Sequence, residues 1–179
     1  MAAKTKRRAA KSKVKAKAKS KPKARKQKVP PVPKGVHTVT PYISVDNCAD
    51  ALVFYVKAFG AKESFRLTDP AGRIGHAEIK IGDSSVMMSD PHPEFGTAAP
   101  SGLMSSRLSL AVKNADAFVA KAVAAGATVV RPVEDQFYGF RAGMIVDPFG
   151  HGWHVMHQVE KVSPKKMQKR WDAMMKGPK

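Results

Sequence analysis

Val45-Asp46-Asn47-Cys48-Ala49-Asp50-Ala51-Leu52-Val53 and Val112-Lys113-Asn114-Ala115-Asp116-Ala117-Phe118-Val119 are two versions of one pattern. Each runs from an apolar stretch through Asn into Ala-Asp-Ala-x-Val. Each reaches Gly-Ala ten residues after its Asp, at Gly60-Ala61 and Gly126-Ala127. The pattern predicts a strand, a helix and a glycine C-cap, with further strands behind. After the first helix, the alternating stretches Lys62–Thr68, Ile74–Ile81 and Ser85–Ser89 read as strands. Asp69-Pro70-Ala71-Gly72 and Gly82-Asp83 mark the turns between them. After the second helix come Thr128–Val133, Ala142–Val146 and Gly152–His157, the last preceded by the turn Asp147-Pro148-Phe149-Gly150. The fold class is α+β: two βαβββ modules, over 36–90 and 106–158, joined by a Pro/Gly/Ser-rich loop at 91–105.

Outward from the repeat, charge separates the chain into three parts. Residues 1–34 hold 15 basic and no acidic residues, and 161–179 hold 7 basic residues and Asp172. Residues 36–160 form a slightly acidic body. Between Lys11 and Lys23 lysine occupies every second position, with Ser, Ala, Val and Pro as spacers. Nothing there can be buried to offset ordering entropy, so a disordered tail is expected. Val29-Pro30-Pro31-Val32-Pro33 reads as a stiff linker. The tail resembles those of linker histones and has the charge to bind nucleic acid non-specifically through residues 4–28. It carries no aromatic residue for stacking on bases. At the other end, Ser163-Pro164 predicts a helix start, and Met167, Trp171 and Met174 recur at helical spacing, suggesting a helix docked on the body.

Other classes are excluded. No apolar run approaches the roughly 18–20 residues a membrane-spanning helix needs. Cys48 is the single cysteine, which excludes an intrachain disulfide or a four-cysteine zinc site. No apolar segment follows the basic N-terminus, so no secretory signal is expected. The expected location is cytoplasmic, with nucleoid or nuclear association as the tail's alternative. Gly-x-Ser-x-Gly, Walker A and dinucleotide-binding glycine patterns do not occur.

Over residues 38–158 the pattern resembles the vicinal oxygen chelate superfamily, the glyoxalase/bleomycin-resistance/dioxygenase group, and more narrowly its PhnB-like branch. The matching residues are Thr40-Pro41-Tyr42, Phe54-Tyr55 with Phe59-Gly60-Ala61, His76-Ala77-Glu78, Met88-Ser89-Asp90, Glu134 to Gly139, and Asp147-Pro148-Phe149-Gly150-His151 with Trp153. The resemblance implies curved mixed sheets that form a small-molecule cup. It also implies a homodimer, because small members bury their sheets by pairing. Its chelating members hold a divalent metal on the first and last strands of each module. Aligning on the repeat puts Thr40, Arg107, Met88 and His154 at those positions. Thr, Arg and Met are a poor donor set, so neither metal nor cofactor is expected.

Strand alternation supplies the candidate site. Residues 76 to 81 place Ala77, Ile79 and Ile81 on one face and His76, Glu78 and Lys80 on the other. Val39, Ile43 and Val45 share an apolar face in the same way. His76, Glu78 and His154 are the acid–base candidates, and Tyr42, Arg107, Tyr138, Arg141 and Trp153 the ligand-binding ones. Cys48 opens the first helix, where the dipole lowers a thiol pKa, but has no histidine beside it. Three readings follow: a metal-free binding cup, a metal-dependent lyase, isomerase or dioxygenase-type enzyme of the same fold, and a nucleoid or chromatin accessory acting through the tail.

Overall fold

The first module runs β1 (Tyr42–Ser44), α1 (Cys48–Phe59), β2 (Lys62–Thr68), β3 (Ile74–Ile81), β4 (Ser84–Ser89). The second repeats it as β5 (Arg107–Ala111), α2 (Ala115–Ala124), β6 (Thr128–Asp135), β7 (Phe140–Val146), β8 (Gly152–Gln158), and α3 (Pro164–Met175) follows. The structure is a computed structural model and describes residues 29–33 and 36–177. The Lys-rich segment 1–28 lies outside the described residues. No helix among those described is long and apolar enough to cross a membrane.

Each module forms its own four-stranded mixed sheet, β1-β4-β3-β2 and β5-β8-β7-β6. β1 pairs parallel with β4 and β5 parallel with β8, and the other pairs are antiparallel. A parallel pair needs a crossover, and the helix after the first strand begins it. α1 is two-sided. Ala51, Leu52, Tyr55, Ala58 and Phe59 are buried, while Val53, Val56 and Lys57 face out. It ends at Gly60 in the left-handed conformation, φ 67°, where the glycine N–H reaches Tyr55 O. Asn114 caps α2 by accepting from Ala117 N. Its counterpart Asn47 sits at φ 56° and makes no such bond.

The two modules share one core. Phe59 of α1 lies 4.9 Å from the Trp153 ring of β8 and 5.1 Å from Phe118 of α2. The inner sheet faces supply Ile43, Ala77, Ile79 and Met88 on one side and Ile145, Trp153 and Val155 on the other.

Three details differ from the sequence reading. Val39 precedes β1 and is 82% exposed rather than facing the core with Ile43. β6 continues past Val133 to Asp135, with a register break between Arg131 and Glu134. Pro132, which has no N–H to give a ladder, sits in that break on an edge strand. Gly60 is the helix cap in the first module, whereas Ala125 holds that position in the second and Gly126 follows at φ 116°.

Candidate ligand-binding faces

With one face of each sheet on the helices, the polar side chains of the alternating strands come together on the opposite face. Strand register aligns Tyr42, Met87, Glu78 and Phe65 across the first sheet. His76, two residues from Glu78, shares their face. Tyr42 Oη lies 3.1 Å from His76 Nδ1, and His76 Nε2 lies 3.5 Å from Glu78 Oε1. A carboxylate accepts, so an imidazole carrying a single proton holds it on Nε2 and accepts from the phenol through Nδ1. Both the Tyr42 and Phe65 rings lie 5.5 Å from the imidazole.

The equivalent row of the second sheet is Ser109, His154, Met144 and Arg131. Arg107, two residues before Ser109, has the same facing. Arg107, Arg131, Met144 and His154, with Tyr138 and the α3 residues Trp171 and Met174, line a cavity of about 560 Å³. Tyr138 Oη is 3.4 Å from His154 Nε2. Burial lowers the His154 pKa, and the Arg131 and Arg107 charges lower it further, so the ring is neutral at pH 7. The loop carrying Phe137 and Tyr138 is tied to the segment before α3. Val159 N and Glu160 N both donate to Gly139 O at 3.0 Å. Gly139 adopts φ +86°, and a Cβ there would collide with Glu160 O and with Val162 Cγ2 at 2.6 Å.

The two-module architecture agrees with known proteins. The profile of the Glyoxalase/Bleomycin resistance protein/Dioxygenase superfamily matches residues 35–155. The chain belongs to that superfamily. It is 38% identical over 135 residues to the protein Mb0911c of Mycobacterium bovis, covering 73% of this chain and 89% of that one. The X-ray structure of the Arabidopsis thaliana gene product At5g48480 superposes with a TM-score of 0.51 at 32% identity, covering 66% of this chain and 95% of that one. A PhnB protein structure from Bacillus cereus gives a TM-score of 0.54 over 68% of this chain and 99% of that one, and at 12% identity shows the fold alone.

A chelated divalent metal needs converging imidazole and carboxylate donors. His76 and Glu78 stand on the first sheet and His154 on the second. Among the described residues no three His, Cys, Asp or Glu side chains gather to hold an ion. The register also corrects the alignment made from sequence. Tyr42 pairs with Met87 as Ser109 pairs with His154, so the counterpart of His154 is Met87. Met88 points into the core with no exposed area. Thr40 precedes β1, and its hydroxyl donates to His37 O.

The remaining candidates face elsewhere. Arg141 holds Asp116 of α2 through two 2.8 Å bonds and reaches Asp135 at 3.1 Å. Trp153 is buried against α1 and donates its Nε1–H to Asp147 Oδ2 at 2.9 Å. His151 lies 3.1 Å from Ser44 O. His157 Nδ1 accepts from Ala115 N at the start of α2. The Cys48 thiol is pushed up to about 12, by burial first and then by the Asp90 carboxylate, against the direction in which the helix dipole acts. The sequence pattern does not single out Arg131, Trp171 or Met174 as ligand-facing. Carrying the repeat one strand further would have matched Arg131 with Phe65.

Proposed function

We propose that this superfamily member captures a small organic molecule on the outer faces of its sheets, without the usual metal ligand set. The observation that carries the reading is the pair of matching rows. One presents Tyr42, His76 and Glu78, the other Arg107, His154 and Tyr138, on the faces the α1 and α2 helices leave free. The Tyr42–His76–Glu78 chain offers a phenol oxygen and an imidazole held in one tautomer, suited to hydrogen-bonding a carbonyl or hydroxyl. On the second sheet the fixed charge of Arg107 pairs with an anion, and Tyr138 offers an aromatic wall. The PhnB-like, bleomycin-resistance-like mode follows from this: stoichiometric capture with no step through a metal.

A homodimer completes the cup in this account. Every residue of β2 is exposed, and Tyr42, Phe65 and Leu67 keep 51, 45 and 60% of their area accessible on or beside the outer face. A second copy burying those rings fits how apolar patches are used.

The enzyme reading rests on the same Tyr42–His76–Glu78 chain, with His154 of a second copy as third ligand to a metal. The tail reading rests on the charge of residues 1–34 and uses the body as a scaffold. A thermal-shift screen of aromatic, carbonyl and anionic compounds, run with and without EDTA, separates them. The proposal expects stabilising hits that EDTA leaves intact and that His76→Ala or Arg107→Ala weakens. Hits lost to EDTA would favour the enzyme. No hits in either condition would contradict the cup.

A further inference from the structure

Arg107 and Arg131 of the second sheet stand apart from the other arginines in the described chain. Arg66 pairs with Glu63, Arg141 with Asp116 and Asp135, and Arg170 with Glu160, while Arg73 donates to Pro91 O. Among the described residues, neither Arg107 nor Arg131 has a carboxylate within ion-pair distance. Both line the same cavity, which has no Asp or Glu in its wall. His154, between them on the face, adds a hydrogen-bonding group rather than a third charge.

Apart from Gln136, the rest of the wall is made of aromatic and thioether side chains. Phe137 lies 5.1 Å from the Tyr138 ring and 5.3 Å from Trp171, and Met144 and Met174 complete the surface. Trp171 and Met174 come from α3, which lies outside both modules. The helix is fixed there by its own contacts. Arg170 donates to Phe137 O at 3.0 Å and to both Glu160 carboxylate oxygens at 2.7 and 3.1 Å. Two guanidiniums without ion-pair partners, on the edge strands β5 and β6, flank an aromatic and thioether wall and make the pocket amphipathic. A guanidinium's paired N–H donors match a carboxylate or a phosphate, while Trp, Phe and Met surfaces suit a planar apolar body.

We infer that the α3-covered cavity of the second module is a binding site for an aromatic oxyanion, its carboxylate or phosphate held by Arg107 and Arg131 and its ring packed on Trp171. This inference rests on the cup reading and names a ligand class for one of its two faces. α3 is then a working wall of the site, and the ion pair of Glu160 with Arg170 positions it.

The test uses the full chain and three probes of one shape: 1-naphthoate, 1-naphthyl phosphate and the neutral 1-naphthamide, titrated by calorimetry and Trp fluorescence. At least one anion should bind once per chain, about tenfold or more tighter than the amide, and Arg107→Ala or Arg131→Ala should each weaken it by about tenfold or more. The stronger of the two anions identifies the headgroup. Trp171→Ala should weaken all three probes, and Arg73→Ala none. Equal affinity for anion and amide would overturn the inference, as would undiminished anion binding in folded Arg107→Ala and Arg131→Ala variants. If aromatic binding then depended on Tyr42 and His76, the cup would stand and this site would fall. If no probe bound any variant and the wider screen was also empty, both would fall.

Discussion

Tyr55 on α1 donates its hydroxyl to Asp147 Oδ2 at 2.6 Å, joining two residues 92 positions apart in different modules. The same carboxylate accepts from Trp153 Nε1 at 2.9 Å and, through Oδ1, from Phe149 N and His151 N. One buried aspartate thus closes the turn into β8, orients the core indole and fastens the first module to the second. Removing Tyr55 Oη leaves Asp147 its other three donors, whereas removing the carboxylate strands four donors, two of them on the buried side chains of Tyr55 and Trp153. Tyr55→Phe should therefore cost about 1–2 kcal/mol and Asp147→Ala about 3–5 kcal/mol. Urea unfolding followed by circular dichroism checks both values. Equal costs would contradict the asymmetry.

The same region sets an alkaline limit. Burial and then the Asp147 charge push the Tyr55 hydroxyl well above its ordinary pKa, and Cys48 stands at about 12 against an ordinary 9.0. Both groups hold their protons more tightly folded than unfolded. Their contribution is complete below the unfolded values and is lost as pH rises toward the folded ones. Stability should fall from about pH 9 upward, and Cys48→Ala should flatten the limb between about pH 9 and 12. Unfolding midpoints measured from pH 7 to 11 read this directly. A thiol reagent should label Cys48 only on unfolding.

An acid limit is expected at α3. Arg170, then Lys166, hold the Glu160 carboxyl down at about 2. Its folded pKa is depressed, so its contribution is present above the ordinary carboxylate value and disappears as pH falls through about 2. The fluorescence difference between the protein and a Trp171→Phe variant should report loosening of α3 below about pH 4. Arg170→Ala should move that change to higher pH. An unchanged midpoint in Arg170→Ala would contradict the role of the pair.

The basic tail yields a separate prediction. Binding to duplex DNA should show no sequence preference and should fall steeply with salt. Removing residues 1–34 should abolish it and leave the thermal midpoint and small-molecule binding unchanged. Gel shifts at two salt concentrations, with full-length and truncated protein, decide it. DNA binding that survives truncation would assign it to the body or to α3.

The repeat made the fold legible. Asp-Ala to Gly-Ala spacing located both helices, and alternation in 74–81 sorted His76 and Glu78 from Ala77 and Ile79, because a period of two is a local property. Position across strands was not local. An offset of one residue put Met88 where Met87 stands, and one residue reverses a side chain's face. Arg141 shows the same limit. Its partner Asp116 is 25 positions away on α2, and nothing in the sequence joins them. Nor does spacing reveal that α3 returns to the second sheet, because its anchor is a contact between Arg170 and the loop at Phe137.

The central claim is a cup that works without a metal. Elemental analysis of the untagged full chain, dialysed exhaustively and then reloaded with zinc, nickel or manganese, tests it most directly. The account predicts no stoichiometric divalent ion after either treatment. About one ion per chain, lost in His76→Ala or His154→Ala, would contradict it and make His76, Glu78 and the second copy's His154 the ligands of a metalloenzyme.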